Sequence, residues 1–259
     1  MIHEIRINSF EDYVSKVNDI GKEFWFRGVK NKNYSLKPGS VRNNLDGRKE
    51  ITAVLDFIES YRIYHDEVDN CWELYSLMQH YGFPTRLLDW STSLLVGMYF
   101  SLDGAPDLVN GDPVERVVWA MTTGELNKIN YLGKRILPTI SKGTKKNEKY
   151  LPSPLRSNEN EEFDFEVNPL AVKIPATNRR IQAQKGVFTI HGSNPKGIEE
   201  IMVDNDLGNE IFKFVFDETT ADKIRKSMHS MQINEDDIYQ DLNSLSQRII
   251  RKRNIGQST

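Results

Sequence analysis

The spacing of apolar residues changes period several times along the chain, and each change marks an element. Ile2, Ile5 and Ile7, with polar residues between them, predict a short opening strand. Ser9 then caps a helix whose apolar stripe is Phe10, Tyr13, Val14 and Val17, and Gly21 stops it. The aromatic run from Glu23 to Gly28 reads as a strand. A turn-rich stretch over Asn31–Ser40 separates it from helical spacing at Ile51, Val54, Leu55 and Ile58. A second helix is predicted over Asn70–Tyr81, ended by Gly82 and Pro84. Arg86–Asp89 reads as a short buried strand. A helix starting at Ser91 follows, with Leu94, Leu95, Met98 and Tyr99 facing inward.

Farther on, Arg116–Met121 is nearly continuous in apolar residues, as expected of a central strand covered on both faces. Gly186–His191 and Ile211–Phe216 are further strands. Thr177 or Asn178 can cap a short helix running to Gln184. Asp217 caps a helix to about Met228, and Asn234 caps a last one from Glu235 to about Arg251. Between Ser141 and Asn168 the character shifts: lysines, then Pro152 and Pro154, then Glu159, Glu161, Glu162, Asp164 and Glu166. This predicts a long insertion acting as a lid. Strands and helices mix without βαβ alternation. The expected class is α+β, a mixed and mostly antiparallel small sheet flanked by helices, with helices at the C-terminal end.

Composition adds limits. The chain has 259 residues, 38% of them hydrophobic and 27% charged, enough to bury a core. Its net charge of −3 gives no global reason for a polyanion partner, although a local basic patch is compatible with it. Cys71 is the single cysteine, so no intrachain disulfide forms, as suits a reducing compartment. Met1-Ile2-His3-Glu4 does not open a signal peptide, and the apolar stretch Leu94–Phe100 is too short to span a bilayer. The expectation is a cytoplasmic protein with no membrane partner. A Cys-rich zinc site is excluded and no metal is expected. No phosphate-loop, dinucleotide or metalloprotease motif occurs. A nuclease is discounted because no metal-binding acid cluster stands out.

The chemistry concentrates in Leu77–Leu102, where Gln79, His80, Thr85, Arg86, Asp89 and Trp90 interleave with apolar positions. Gln79 and His80 end a helix and can reach past its C-terminus. Arg86 and Asp89 flank Leu87-Leu88 and can pair, which predicts that both are buried and hydrogen-bonded. Trp90 reads as core.

QHYGFPTRLLDWST, together with the upstream Phe26-Arg27-Gly28 and the downstream RIQAQKGVFTIH, resembles the FRG domain family, named for its Phe-Arg-Gly motif. The likeness runs over roughly 21–216. It implies one domain over 1–259, with a core of about 21–216 and a helical extension over 217–253. It also implies a link to bacterial phage defence. A weaker resemblance, to the ADP-ribosyltransferase fold, supplies a mechanism. That fold carries an Arg or His ending a first strand, a Ser/Thr-rich strand leading into a helix, and a Glu- or Gln-containing turn beside a later strand. Here those elements are Arg27-Gly28, Ser91-Thr92-Ser93 and Gln182-x-Gln184.

The resemblance implies NAD as cofactor and assigns Arg27, Thr92 and Gln184 to catalysis. Arg27, Gly28, Tyr34, His80, Ser91, Thr92 and Ser93 would bind the cofactor, with Gln79, Arg86, Asp89 and Gln182 in support. Trp25, Tyr34 or Tyr81 would stack on nicotinamide. The target would be nucleic acid or protein. Gln184 departs from the usual carboxylate, so either Glu166 or Asp89 supplies the acid or the chain binds without transfer. RNA 2′-phosphotransferases, which also lack that Glu, keep chemistry open. The competing reading is a non-catalytic module that recognises a nucleotide or phage component. Structural explanations stand beside these roles: Arg27 snorkelling from a core edge, Ser91–Ser93 as a helix cap, and Arg248, Arg251, Lys252 and Arg253 complementing a helix C-terminus.

Overall fold

A computed structural model of the chain describes residues 1–130, 145–156, 166–175 and 178–255. In chain order the elements are β1 (His3–Arg6), α1 (Phe10–Ile20), β2 (Trp25–Val29), α2 (Gly39–Arg42), α3 (Gly47–Ser60), α4 (Cys71–His80), β3 (Leu87–Ser91) and α5 (Leu94–Leu102). They continue as β4 (Leu108–Val109), β5 (Asp112–Pro113), β6 (Arg116–Met121), α6 (Thr123–Asn130), β7 (Leu170–Val172), α7 (Arg179–Ala183), β8 (Gly186–Ile190), α8 (Ile198–Asp204) and β9 (Ile211–Phe216). The last helices are α9 (Glu218–Ser230), α10 (Glu235–Tyr239) and α11 (Leu242–Lys252). The class is α+β. Among the described residues no helix is long and apolar enough to cross a membrane.

Seven strands form one sheet in the order β1-β9-β6-β2-β3-β8-β7. Only β1 and β9 pair in parallel; the remaining neighbours are antiparallel. The two central strands, β2 and β3, share one registered pair, Phe26 with Ser91. Their partners on the outer sides are paired along their full lengths. The sheet is therefore split beside Arg27 and Gly28.

Side-chain alternation divides the core. Phe26, Val118, Ala120, Phe212, Phe214 and Phe216 face α1, α5 and α9, whereas Trp25, Val117, Trp119, Met121 and Val215 face α6 and α8. On the other half of the sheet, Leu87, Phe188 and Ile190 pack against α3 and α4. The Phe26–Ser91 register puts this third cluster and the first on one face of the sheet. A gap is left between α4 and α5 there.

Local chemistry sets the boundaries. Ser9 Oγ accepts from the Asp12 amide at 3.1 Å, and Gly21 ends α1 with φ 64°. Asn178 caps α7, its side chain accepting from the Ile181 amide at 2.8 Å, and the helix ends at Ala183. Gly28 has a packing reason: a Cβ there would lie 2.0 Å from the Gly97 carbonyl oxygen and 2.2 Å from the Ser101 nitrogen. Helix α5 therefore rests directly on the backbone of β2.

Several expectations need correction. Ser91 belongs to the end of β3, and α5 starts three residues later with Ser93 at its N-cap position. The single C-terminal helix is broken: Gln240 takes a left-handed conformation with φ 55°, and Asp241 caps α11 by accepting from the Ser244 amide at 2.7 Å. Strand β7 and helices α2, α6 and α8 were not expected from the spacing. In the expected lid, residues 145–156 place Tyr150, Leu151 and Leu155 in the core against α3 and α4. This part is therefore a core segment. Lys142 of the lysine cluster and Glu159, Glu161, Glu162 and Asp164 of the acidic run lie outside the described residues.

The Arg86–Asp89 pair is also corrected. Arg86 is buried, but its partner is Glu50 on α3, at 2.9 Å and 3.0 Å from Nε and 2.6 Å from Nη2. Tyr75 joins them, donating to Glu50 at 3.2 Å and accepting from the Arg86 amide at 2.7 Å. Asp89 is exposed on the strand two positions beyond Leu87.

Candidate functional site

The gap between α4 and α5 is a cavity of about 280 Å³. The sheet contributes Phe26, Arg27 and Gly28 from β2, Asp89, Trp90 and Ser91 from β3, and Gly186, Val187 and Phe188 from β8. Helix α4 adds Ser76, Gln79 and His80, one helical face by spacing, and α5 adds Val96 and Phe100. Arg180 and Ile181 of α7, with Gln184, complete the lining.

Arg27 reaches across the split in the sheet. Its Nη1 donates to the main-chain oxygen of Asp89 at 2.6 Å. Burial lowers its pKa from the ordinary value, Asp89 opposes that shift, and Arg42 adds to it. The guanidinium stays charged near neutral pH. Asp89 is held through a relay: the Leu87 amide donates to Thr85 Oγ1 at 3.0 Å, the Thr85 hydroxyl donates to Gln79 Oε1, and Gln79 Nε2 donates to Asp89 Oδ2 at 2.9 Å. Gln79 is thus fixed by two partners and aims a carboxylate at the cavity.

His80 is half-buried. Burial lowers its pKa, Arg180 lowers it further and Asp89 opposes, so the imidazole is largely neutral near pH 7. Ser76 Oγ is buried without a hydrogen-bond partner. Gln184 donates from Nε2 to the Ile238 carbonyl oxygen at 3.2 Å, so its amide nitrogen is occupied by α10. Ser91 donates from Oγ to the Gln184 carbonyl oxygen at 2.7 Å and accepts from the Ser93 amide at 3.0 Å.

Of the residues singled out in the sequence, Arg27, Gly28, Gln79, His80, Asp89, Ser91 and Gln184 line this one cavity. Thr92, Ser93, Tyr34, Arg86 and Gln182 do not. Tyr34 is held elsewhere by its hydroxyl, which donates to Asp107. Trp25 is buried in the core and Tyr81 is exposed, and neither lines the cavity. Trp90 is core, its indole donating to Thr189 at 3.0 Å. Glu166 does not line the cavity, and its carbonyl accepts from the Ser193 amide at 2.8 Å. Of the two alternative acids, Asp89 is the one at the site. Sequence reasoning missed Ser76, Phe100, Arg180 and Phe188. The first was legible, lying three and four residues before Gln79 and His80. Among the described residues no cluster suited to a metal ion occurs.

No curated protein and no solved structure matches the chain. Residues 22–107 match the family model described as FRG domain. That span holds β2, α4, β3 and α5, the elements that bring Arg27, Gln79, His80 and Asp89 to the cavity; α7 and β8 lie beyond it.

Proposed function

We propose that the cavity binds a nucleotide, with NAD the leading candidate, and that the chain is an ADP-ribosyltransferase-like enzyme acting on nucleic acid or protein. The observation that carries this reading is the joint presence in one cavity of the Arg27 guanidinium and the Asp89 carboxylate, held apart in role by separate hydrogen bonds. Arg27 uses one donor on the Asp89 main chain, leaving others for a phosphate or ribose oxygen. Phe100 and Phe188 provide apolar surface for a ring.

In this reading the bond between nicotinamide and ribose breaks, and its electron pair leaves on nicotinamide. A target nucleophile bonds to the same ribose carbon and loses its proton. Asp89 offsets the positive charge that develops on the ribose, a task a neutral Gln184 cannot perform. Such an activity suits a cytoplasmic effector of phage defence, the role the family resemblance implies. The whole 259-residue chain is taken as one FRG-type unit, since the cavity draws on residues from Phe26 to Phe188.

Calorimetry with NAD tests binding, and incubation with labelled NAD and cell extract tests transfer. Heat that is lost in Arg27→Ala, with label on a macromolecule, is the expected result. No heat at millimolar NAD and no labelled product would overturn the reading. A non-catalytic recognition module is the second reading. It is favoured by the neutral Gln184, whose amide nitrogen is already taken by Ile238. Binding without labelled product would select it.

A further inference from the structure

Arg180 lines the same cavity and stands out chemically. Its guanidinium carbon lies 4.9 Å from the centre of the Tyr239 ring. A cation–π contact consumes no hydrogen-bond donor, so it leaves the guanidinium N–H groups, the donors that match phosphate oxygens, untaken. Among the described residues, no hydrogen bond or ion pair takes them. Arg180 is therefore a charged, oriented and unspent group on the wall of the cavity.

Tyr239 is itself fixed. Its hydroxyl donates to Asp103 at 2.8 Å. Its ring packs edge-on against Tyr99 at 6.2 Å and against the cavity residue Phe100 at 6.1 Å. The neighbouring Ile238 carbonyl holds Gln184. Helix α10 thus touches three lining residues, Phe100, Arg180 and Gln184, without lining the cavity itself. Helix α10 is in turn held by α11, where Arg248 forms a two-point pair with Asp236 at 2.6 Å and 2.9 Å.

The two cavity arginines act at different places. Arg27 sits on β2 and bonds the Asp89 main chain, whereas Arg180 sits on α7 against the Tyr239 ring. A ligand that uses both needs two anionic groups. We infer that Arg180 is a second anion-binding residue of the cavity, that Tyr239 is its positioning residue, and that the ligand class is a diphosphate-bearing nucleotide. This inference rests on the nucleotide reading of the cavity.

The test is calorimetric titration of the full chain with NAD and, separately, with inorganic pyrophosphate. For wild type, both should bind. Arg180→Gln should weaken both by about tenfold or more, the loss expected for one charge-assisted contact. Tyr239→Leu should weaken them severalfold, and Tyr239→Phe, which keeps the ring, should restore them. Circular dichroism melts verify that each variant is folded. Should Arg180→Gln prove unfolded, Arg180→Lys replaces it, keeping the charge but not the flat two-donor edge; it should also bind more weakly. NAD binding equal in wild type and the folded Arg180 variant overturns the inference and leaves the nucleotide reading intact. Pyrophosphate binding that depends on Arg180, with no heat from NAD, keeps the two-cation site and overturns NAD as the ligand. Absence of heat from both overturns both.

Discussion

Arg27 Nη1 donates to the main-chain oxygen of Asp89 at 2.6 Å, joining two central strands where their ladder has only one registered pair. A side chain thus does part of what backbone hydrogen bonds would do in an unbroken sheet. It does so at the cavity edge, so its charge also borders the cavity. Arg27→Ala should lose nucleotide binding while costing about 2 kcal/mol or less in stability, the range for one hydrogen bond from a charged group that is only half buried. Urea unfolding of the variant beside calorimetry separates the two effects. A loss of folding larger than that would assign Arg27 to structure.

Truncation should cost far more stability at Glu50 than at Asp89. Glu50 is 1% exposed and holds Arg86 through both oxygens, so Glu50→Ala leaves a buried cation without its main partner. The expected cost is about 3–5 kcal/mol. Asp89 is exposed and bonded through its carboxylate to Gln79, so Asp89→Ala should cost about 1 kcal/mol or less. Equal melting temperatures for the two variants would contradict the assignment of the Arg86 partner.

Gly28→Ala should be severely destabilising for a steric reason independent of any ligand. The added methyl would meet the α5 backbone at Gly97 and Ser101, which cannot yield as a flexible side chain can. Overpacking of this kind costs about 3 kcal/mol or more. A soluble, wild-type-stable Gly28→Ala protein would show that α5 does not sit directly on β2.

The sequence was most legible where a local signal acts alone. Ser9, Asp217 and Gly21 mark helix ends because their side chains or lack of one satisfy end groups locally, and the structure uses each in that way. Strands β6 and β9 carry enough apolar residues to be read directly, and both match residue for residue. What escaped depends on partners far away in sequence. Glu50 lies 36 residues from Arg86, so a nearby Asp89 looked like the natural partner. Strand β7 has three residues and owes its state to β8. The assembly of Arg27, Asp89 and Gln184 followed the motifs, whereas Arg180 depends on a ring on α10, 59 positions away by number.

His191 predicts an acid sensitivity. It is fully buried beyond β8, neither ring nitrogen has a hydrogen-bond partner, and burial drops its pKa to about 3, with Arg86 and Lys37 adding to the shift. In the unfolded chain the imidazole titrates near its ordinary value of about 6.5. Between those two values the unfolded state binds the proton and the folded state does not, so stability falls as pH drops through that window. The slope contributed by His191 approaches about 1.4 kcal/mol per pH unit. His191→Leu should flatten the fall in melting temperature between pH 6.5 and pH 4. An unchanged profile would show that other groups control it.

The proposed nucleotide site is the cavity between α4 and α5. A crystal structure of the chain soaked in millimolar NAD tests it most directly. Density for the nucleotide is expected in that cavity, with a phosphate or ribose oxygen within hydrogen-bond distance of Arg27 and the ring system against Phe100 or Phe188. Density elsewhere on the protein, or an empty cavity at saturating NAD, would contradict it.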